Sequence, residues 1–239
     1  MTRRAWMITR VGVKQLFKDP LYMMFFLAMP VMMSWLMGFL PREAAGLATS
    51  GVMVMFVGLT LITSAGSVLE ERQQGTWGRL LAAPVAPWEV FSGFFARSFL
   101  MGWIQAGLLI LAGRYLFALP WKVQSADLFL VLGAYILAMS GLGLLLAGFL
   151  KTLPQVQMVS TGIVMVGSML GGVFFPVNTK SPLMTAIARI SPQGWAARAI
   201  NDLLAGKAAP AAAGPIVWLF GLGLVFLALG IWRMGRERG

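Results

Sequence analysis

The sequence predicts an all-α integral membrane protein with six transmembrane helices, and three observations carry that prediction. Only 11% of its 239 residues are charged, against about a quarter in ordinary soluble domains. The mean hydropathy is +0.80. Six apolar runs, at about Leu21–Leu40, Ala48–Leu69, Phe94–Leu116, Leu128–Leu150, Val156–Phe175 and Ile216–Trp232, each approach the roughly 20 residues a helix needs to cross a bilayer. Hydrocarbon offers no partner to backbone N–H and C=O groups, so a spanning segment is a helix or part of a closed barrel. A barrel requires apolar and polar residues to alternate, and these runs do not alternate.

The elements follow in order. On a helical wheel, Arg3, Arg4, Arg10, Lys14, Gln15 and Lys18 share one arc of residues 3–18 while Trp6, Ile8, Val13, Leu16 and Phe17 share the other. That pattern predicts a basic amphipathic helix lying along a headgroup layer. Asp19-Pro20 ends it and starts the first span. Pro41–Gly46 is read as a hairpin connection. After the second span comes the densest cluster of charge in the chain, Glu70-Glu71-Arg72-Gln73-Gln74-Gly75-Thr76-Trp77-Gly78-Arg79. Thr76 can cap a short helix over Trp77–Ala83, and Pro84 and Pro87 bracket the turn into the third span. Lys151-Thr152-Leu153-Pro154 makes a tight turn. Gly171-Gly172-Val173-Phe174-Phe175-Pro176 loosens the end of the fifth span. Beyond it, Leu183–Ile190 and Gly194–Leu204 read as two short amphipathic helices, interrupted by Ser191-Pro192-Gln193-Gly194, that dip into the membrane as a re-entrant pair. Gly141 to Gly148 and Ser160 to Gly172 have the small residues that suit close helix packing. The whole reads as a single transmembrane domain, residues 1–239, with an interface helix at 3–18, a charged loop at 70–92 and an outer segment at 176–215.

The distribution of charge predicts orientation. Arg3, Arg4, Arg10, Lys14, Lys18, Arg72, Arg79, Lys151, Arg233, Arg236 and Arg238 fall on one side, and Arg42, Arg114 and Lys122 on the short loops of the other. Arg97 sits at the base of a span, and four further cations lie in the long loop. The positive-inside rule then places both termini in the cytoplasm. The net charge of +11 is explained by topology and contact with anionic lipid, not by nucleic acid. The first apolar run is too long and starts too late for a cleaved signal peptide.

Several chemistries are excluded. The chain has no cysteine and no histidine, so it has no disulfide framework, thiolate metal site or imidazole relay. The six apolar cores carry no carboxylate, lysine or arginine, the usual mark of ion coupling. A membrane serine protease needs a base beside its nucleophile, and a metalloprotease needs His or carboxylate ligands. Gly206-Lys207 lacks the upstream glycine of a phosphate-binding loop. No cofactor or metal is expected on this chain. The polar groups left in the spans are hydroxyls and amides. Among them Thr60, Thr63, Ser64, Gln105, Gln157 and Ser160 are candidates to line a substrate path, although hydrogen bonding between helices is the ordinary role of such groups.

Glu71-Arg72-x-x-Gly75-Thr76-x-x-x-Leu80-x-x-x-Pro84 resembles the first cytoplasmic loop of type-2 ABC transporter permeases. Gly171-Gly172-Val173-Phe174-Phe175-Pro176, followed by Ser191-Pro192 and Ala199–Leu204, is similar to that family's segment after the fifth helix. The likeness covers essentially the whole chain; Ser191-Pro192-Gln193-Gly194-Trp195 departs from the family's usual Leu-Pro with a nearby aromatic. The resemblance implies a cytoplasmic coupling helix that docks on a separate ATP-binding cassette subunit. It also implies two permease subunits, identical or paralogous, facing two such ATPases that hold ATP and magnesium. The coupling residues would be Glu70, Glu71, Arg72, Gly75, Thr76, Trp77, Arg79, Leu80, Leu81 and Pro84. Their charges would set orientation, and Trp77, Leu80 and Leu81 would form a buried anchor. The outer segment would use Gly171, Gly172, Phe174, Phe175, Pro176, Pro192 and Trp195. The implied function is ATP-driven export of an amphiphile (drug, antibiotic, lipid or lipid-linked glycan) across the cytoplasmic inner membrane. Adaptable methionine surfaces, from 17 Met, are compatible with such cargo. Two other classes stay open: a membrane scaffold or assembly factor, which would not co-purify an ATPase, and a stand-alone carrier, which would transport on an ion gradient alone.

Overall fold

The computed structural model describes Arg10 and residues 20–75, 87–115, 125–173, 190–207 and 210–235. The interface helix expected at 3–18 lies outside them apart from Arg10. All regular structure among the described residues is helical.

The first expected span runs as α1 (Pro20–Met23), a π-helical segment (Met24–Ala28) and α2 (Met29–Met37). The expected hairpin at Pro41–Gly46 is instead the start of a helix, α3 (Arg42–Ser64). Pro41 stands just before it, and its carbonyl accepts the Ala45 N–H at 2.9 Å; Ala44 and Ala45 are strong helix formers. The expected second span is broken at Ala65, and α4 (Gly66–Gln73) follows. Gly66 has the lowest intrinsic helix preference of any residue but proline. The third helix, α5 (Pro87–Tyr115), begins seven residues earlier than the apolar run because Pro87 suits a first helical turn.

Next come α6 (Ser125–Phe149) and α7 (Leu153–Leu170). Thr152 caps α7 by accepting the Gln155 N–H, and α7 ends before Gly171 rather than at Phe175. The helix expected to start at Gly194 starts earlier, as α8 (Pro192–Leu204), and Ser191, read as part of an interruption, is its N-cap. The last helix, α9 (Pro210–Gly235), takes in Pro215, so the outer segment ends sooner than position 215. The expected helix at Leu183–Ile190 lies outside the described residues.

Four of these helices contain stretches long and apolar enough to cross a membrane: Glu89–Tyr115, Ala126–Phe149, Leu153–Leu170 and Ala213–Arg233. The first two expected spans are represented by the shorter apolar stretches Met24–Met37 and Ala44–Leu59.

Helices α3 and α6 form the centre. The main core joins Met53, Val54 and Val57 of α3 to Val131, Leu132, Tyr135, Ile136 and Met139 of α6, with Ala106 and Leu109 of α5, Val164 of α7, Ile200 of α8 and Leu219 of α9. Tyr135 donates its phenolic hydrogen to the Val54 carbonyl at 2.8 Å. Helices α6 and α9 touch backbone to backbone. A methyl group on Gly141 would sit 2.8 Å from the Gly223 carbonyl oxygen, and one on Gly223 would sit 2.9 Å from the Ala138 nitrogen. The sequence anticipates close packing at Gly141 but not its partner.

Helix α8 closes one end of the bundle. It buries Gln193, Gly194, Ala196, Ala197, Ala199, Ile200 and Leu203 and packs on α3, α6, α7 and α9. At the opposite end a second cluster joins Ala65, Val68 and Leu69 to Val90, Phe91 and Phe94 of α5, Leu144 and Ala147 of α6 and Val156 of α7.

Candidate functional site

The charged segment after α3 grows out of this second cluster. Gly66, Ser67, Val68 and Leu69 of α4 are buried, so its first turn is clamped between α5, α6 and α7. One turn on, Glu70 is exposed, Glu71 and Arg72 are half-buried, and Gln73 to Gly75 are exposed. The helix therefore passes from packed core to open surface within eight residues. Gly75 ends it. Its φ is +71°, a left-handed conformation that disfavours side chains with a Cβ, and its N–H bonds the Arg72 carbonyl at 3.2 Å. That is the ordinary glycine stop of a helix. The chain direction at this point is thus fixed by a packed helix and one backbone torsion. Thr76, Trp77, Arg79, Leu80, Leu81 and Pro84 lie outside the described residues, as does the short helix expected over Trp77–Ala83.

Beside this segment, α5 carries two residues that sequence reasoning treated too lightly. Glu89 and Arg97 are both buried, and Glu89 lies inside a spanning helix that was expected to begin only at Phe94. The charge-free stretch of α5 is residues 98–113, shorter than the apolar run suggests. Pro87, two residues ahead of Glu89, is the sequence signal that the helix starts early.

At the other end, Gly171 and Gly172 lead out of α7, Gly172 with φ +70°, and Pro192 and Trp195 begin α8. Phe174, Phe175 and Pro176 lie outside the described residues. Here α7 and α8 meet at backbone distance. A methyl on Gly171 would approach the Gly194 nitrogen to 2.7 Å, and one on Gly167 would meet the Gln193 side chain. These two glycines, four residues apart, make the close-approach pattern of membrane helices. Ser191 ties the joint: its Oγ donates to the Gly167 carbonyl at 2.8 Å and accepts the Gly194 N–H at 3.3 Å. On the far side of α8, Ser50 Oγ donates to Asn201 Oδ1 at 2.5 Å. Helix α8 is thus a wedge locked into the bundle, not a helix resting on its surface. Arg198 lies 4.7 Å over the Trp195 ring, an arrangement attractive to a cation, and Trp195 in turn stands near Trp218 of α9, at 6.3 Å.

The six residues proposed to line a path belong to α3, α5 and α7. Thr60, Thr63 and Ser64 belong to the last turns of α3, and their side chains are outside the described residues. Gln105 is buried and its Nε2 donates to the Phe26 carbonyl at 3.2 Å, so it is engaged with backbone. Ser160 is buried and Gln157 is exposed, both on α7. That helix buries only Val156, Ser160, Val164 and Ser168, a stripe one residue wide. Met158, Val159, Met165, Val166 and Met169 are bare. Helix α2 shows a comparable face, with Met29, Met32, Trp35 and Leu36 exposed.

A helical bundle whose long helices are this apolar, with bare aliphatic flanks, is a multi-pass membrane protein. The comparisons narrow the class: residues 3–204 match the ABC-2 type transporter family, and the chain belongs to it. Among curated relatives, the linearmycin resistance permease protein LnrN of Bacillus subtilis is 33% identical over 160 residues, covering 66% of this chain and 41% of LnrN. The probable multidrug ABC transporter permease YbhR of Escherichia coli is 26% identical over 140 residues, covering 59% of this chain and 38% of YbhR. The aligned part thus spans about two fifths of each relative's length.

Proposed function

We propose that this chain is the membrane-spanning permease subunit of an ATP-driven exporter of amphiphilic compounds, working with separate ATP-binding subunits in the cytoplasmic membrane. The observation that carries the reading is α4: a helix whose root is packed among three spanning helices and whose tip, Glu70 to Gly75, stands in the open at the start of the family-like loop. A push on such a tip reaches α5, α6 and α7 with little loss, whereas a floppy loop would absorb it. With both termini cytoplasmic, α4 lies inside and α8 outside, and six spans result when the first two apolar stretches are counted. ATP and magnesium would sit on the partner, whose closure would move the elbow.

The bare faces of α2 and α7 support a second permease copy and a route between the two. Their methionine- and aliphatic-rich surfaces suit an apolar or amphiphilic cargo, and the printed names of the two relatives, a resistance permease and a probable multidrug permease, agree with such cargo. The test is co-purification. The native chain is expected to bring down an ATPase, and Glu71→Lys combined with Leu80→Asp to abolish that association while membrane insertion stays intact. Unchanged complex yield would remove the coupling assignment. Persistent absence of an ATPase from the purified chain would favour the scaffold reading.

A further inference from the structure

Helices α8 and α9 enclose a groove of about 760 Å³, inside the range of roughly 300–1,000 Å³ over which proteins hold small molecules. Trp195 lines it from α8, and alanine, glycine, valine, leucine and tryptophan side chains between Ala213 and Val225 line it from α9. No charged side chain is among them. On α9 the lining recurs at Ala213, Val217, Gly221 and Val225, every fourth residue, so it is a single face of the helix. At about 1.5 Å per residue that face is roughly 18 Å long. One leaflet of a bilayer holds about 15 Å of hydrocarbon. The groove therefore has the length of one acyl chain and is too short to seat a second spanning helix. Gly214 and Gly221 have open space where a methyl group would stand, so at these two points the floor is bare backbone. Beside this apolar trough stands a cation. The Arg198 guanidinium lies 4.7 Å over the Trp195 ring, and its Nε donates to the Gly194 carbonyl at 3.0 Å. Residues 191–207 carry Arg198 and Lys207 against Asp202 alone, so the stretch is positive overall. Trp195 and Trp218 stand 6.3 Å apart, and indole rings settle at the border between hydrocarbon and headgroups.

We propose that this groove is the resident site of an anionic phospholipid, with one acyl chain lying along α9 from Ala213 to Val225 and the phosphate meeting Arg198. An apolar trough of one leaflet's depth beside a guanidinium matches a lipid in both parts, since guanidinium is the side chain suited to phosphate oxygens. The occupant is not the cargo: the groove is built by α8 and α9, whereas the faces assigned to the route belong to α2 and α7. A chain seated there packs Trp195 against α9 and so backs the wedge that α8 drives into the bundle. The inference goes beyond the proposed function and takes from it only the leaflet, the outer one, because that reading places α8 outside.

The test is photolabelling of the full chain in phosphatidylcholine nanodiscs that carry a trace of phosphatidylglycerol with a diazirine in mid-chain, read by peptide mass spectrometry. Labelling of residues 213–225 should exceed severalfold that of residues 158–169 on α7, which are also bare. Unlabelled phosphatidylglycerol should compete about tenfold better than phosphatidylcholine, the size of one hydrogen bond to a charged group. Arg198→Gln should erase that preference, and Arg198→Lys should keep most of it. Gly221→Leu fills the groove from an open position, and should lower labelling of 213–225 whichever lipid competes while leaving α7 unchanged. Equal labelling of the two faces would mean annular lipid only and overturns the proposal. So does a phosphatidylglycerol preference that survives Arg198→Gln. A dimer fraction in native mass spectrometry that falls with Gly221→Leu would assign the groove to a second copy instead. Labelling of 213–225 that drains away during ATP turnover by the permease–ATPase complex would make the occupant cargo, which also overturns it. Should a variant fail to insert, the competition on the native chain decides. A chain that never associates with an ATPase removes the export reading, while labelling and competition still decide the lipid site.

Discussion

Helices α7 and α9 each bury 22% of their most apolar stretch, yet they are attached to the bundle in different ways. Helix α9 lies along α6 with backbone against backbone, through Gly141, Gly223 and Gly230. Helix α7 rests on a row of alternating valine and serine, Val156, Ser160, Val164 and Ser168, and is also tied at its end by Gly167, Gly171 and Ser191. Equal burial does not mean equal attachment. Close backbone contact yields many dispersion contacts over a fixed register, and interiors packed in this way pass displacement on rather than absorbing it. A smooth stripe of small side chains specifies register weakly. The pair α6–α9 is packed as one body, and α7 presents a bare flank.

The comparison can be broken at its strong side first. Gly141→Val places branched carbons where the Gly223 carbonyl and Leu227 lie, and overpacking of this kind is expected to cost about 3 kcal/mol. Denaturant titration of the permease in bicelles would measure it; a loss below 1 kcal/mol would show that the seam yields easily. Next in size is Gly75→Ala, which leaves every packed contact intact because the space around Gly75 is open. The left-handed torsion alone should cost about 1 kcal/mol, with Gly75→Asn milder than Gly75→Ala, and ATPase stimulation by the permease should fall more than stability does. Tyr135→Phe removes the hydrogen bond to Val54 that ties α6 to α3, expected to cost about 1 kcal/mol in the same titration. The smallest effect belongs to the weak side. Met165→Ala with Met169→Ala should change the stability of the isolated chain by less than about 0.5 kcal/mol, as bare positions do. If a second copy covers that face, the pair should still lower the dimer fraction seen by native mass spectrometry.

Much of the fold was legible because lipid imposes a coarse rule, and apolar runs near 20 residues report it. The ends of the helices were not, since hydropathy marks where hydrocarbon begins and not where backbone hydrogen bonding stops. Pro87 and Arg42 start helices several residues outside the apolar runs, and that is why Glu89 was missed as part of α5. The break at Ala65 and the π-helical segment Met24–Ala28 were equally silent in hydropathy, although Gly66 and Pro30 stand close by. Of the candidate coupling residues, Glu70 to Gly75 close a helix with charge and glycine beside an apolar run, a pattern with a fixed local meaning. A lone amide in a span, such as the path candidate Gln105, carries no sign in the sequence of the carbonyl on another helix to which its Nε2 donates.

The seam between α6 and α9 has a practical consequence. Near its far end the Arg233 guanidinium stands 5.4 Å over the ring of Phe149, so the last turn of α9 is pinned to the last turn of α6. Trp232 beside it is exposed. A fluorescent or spin label placed there would follow the buried helix α6 without touching it, a dial on the outside of the casing for a shaft that no reagent can reach.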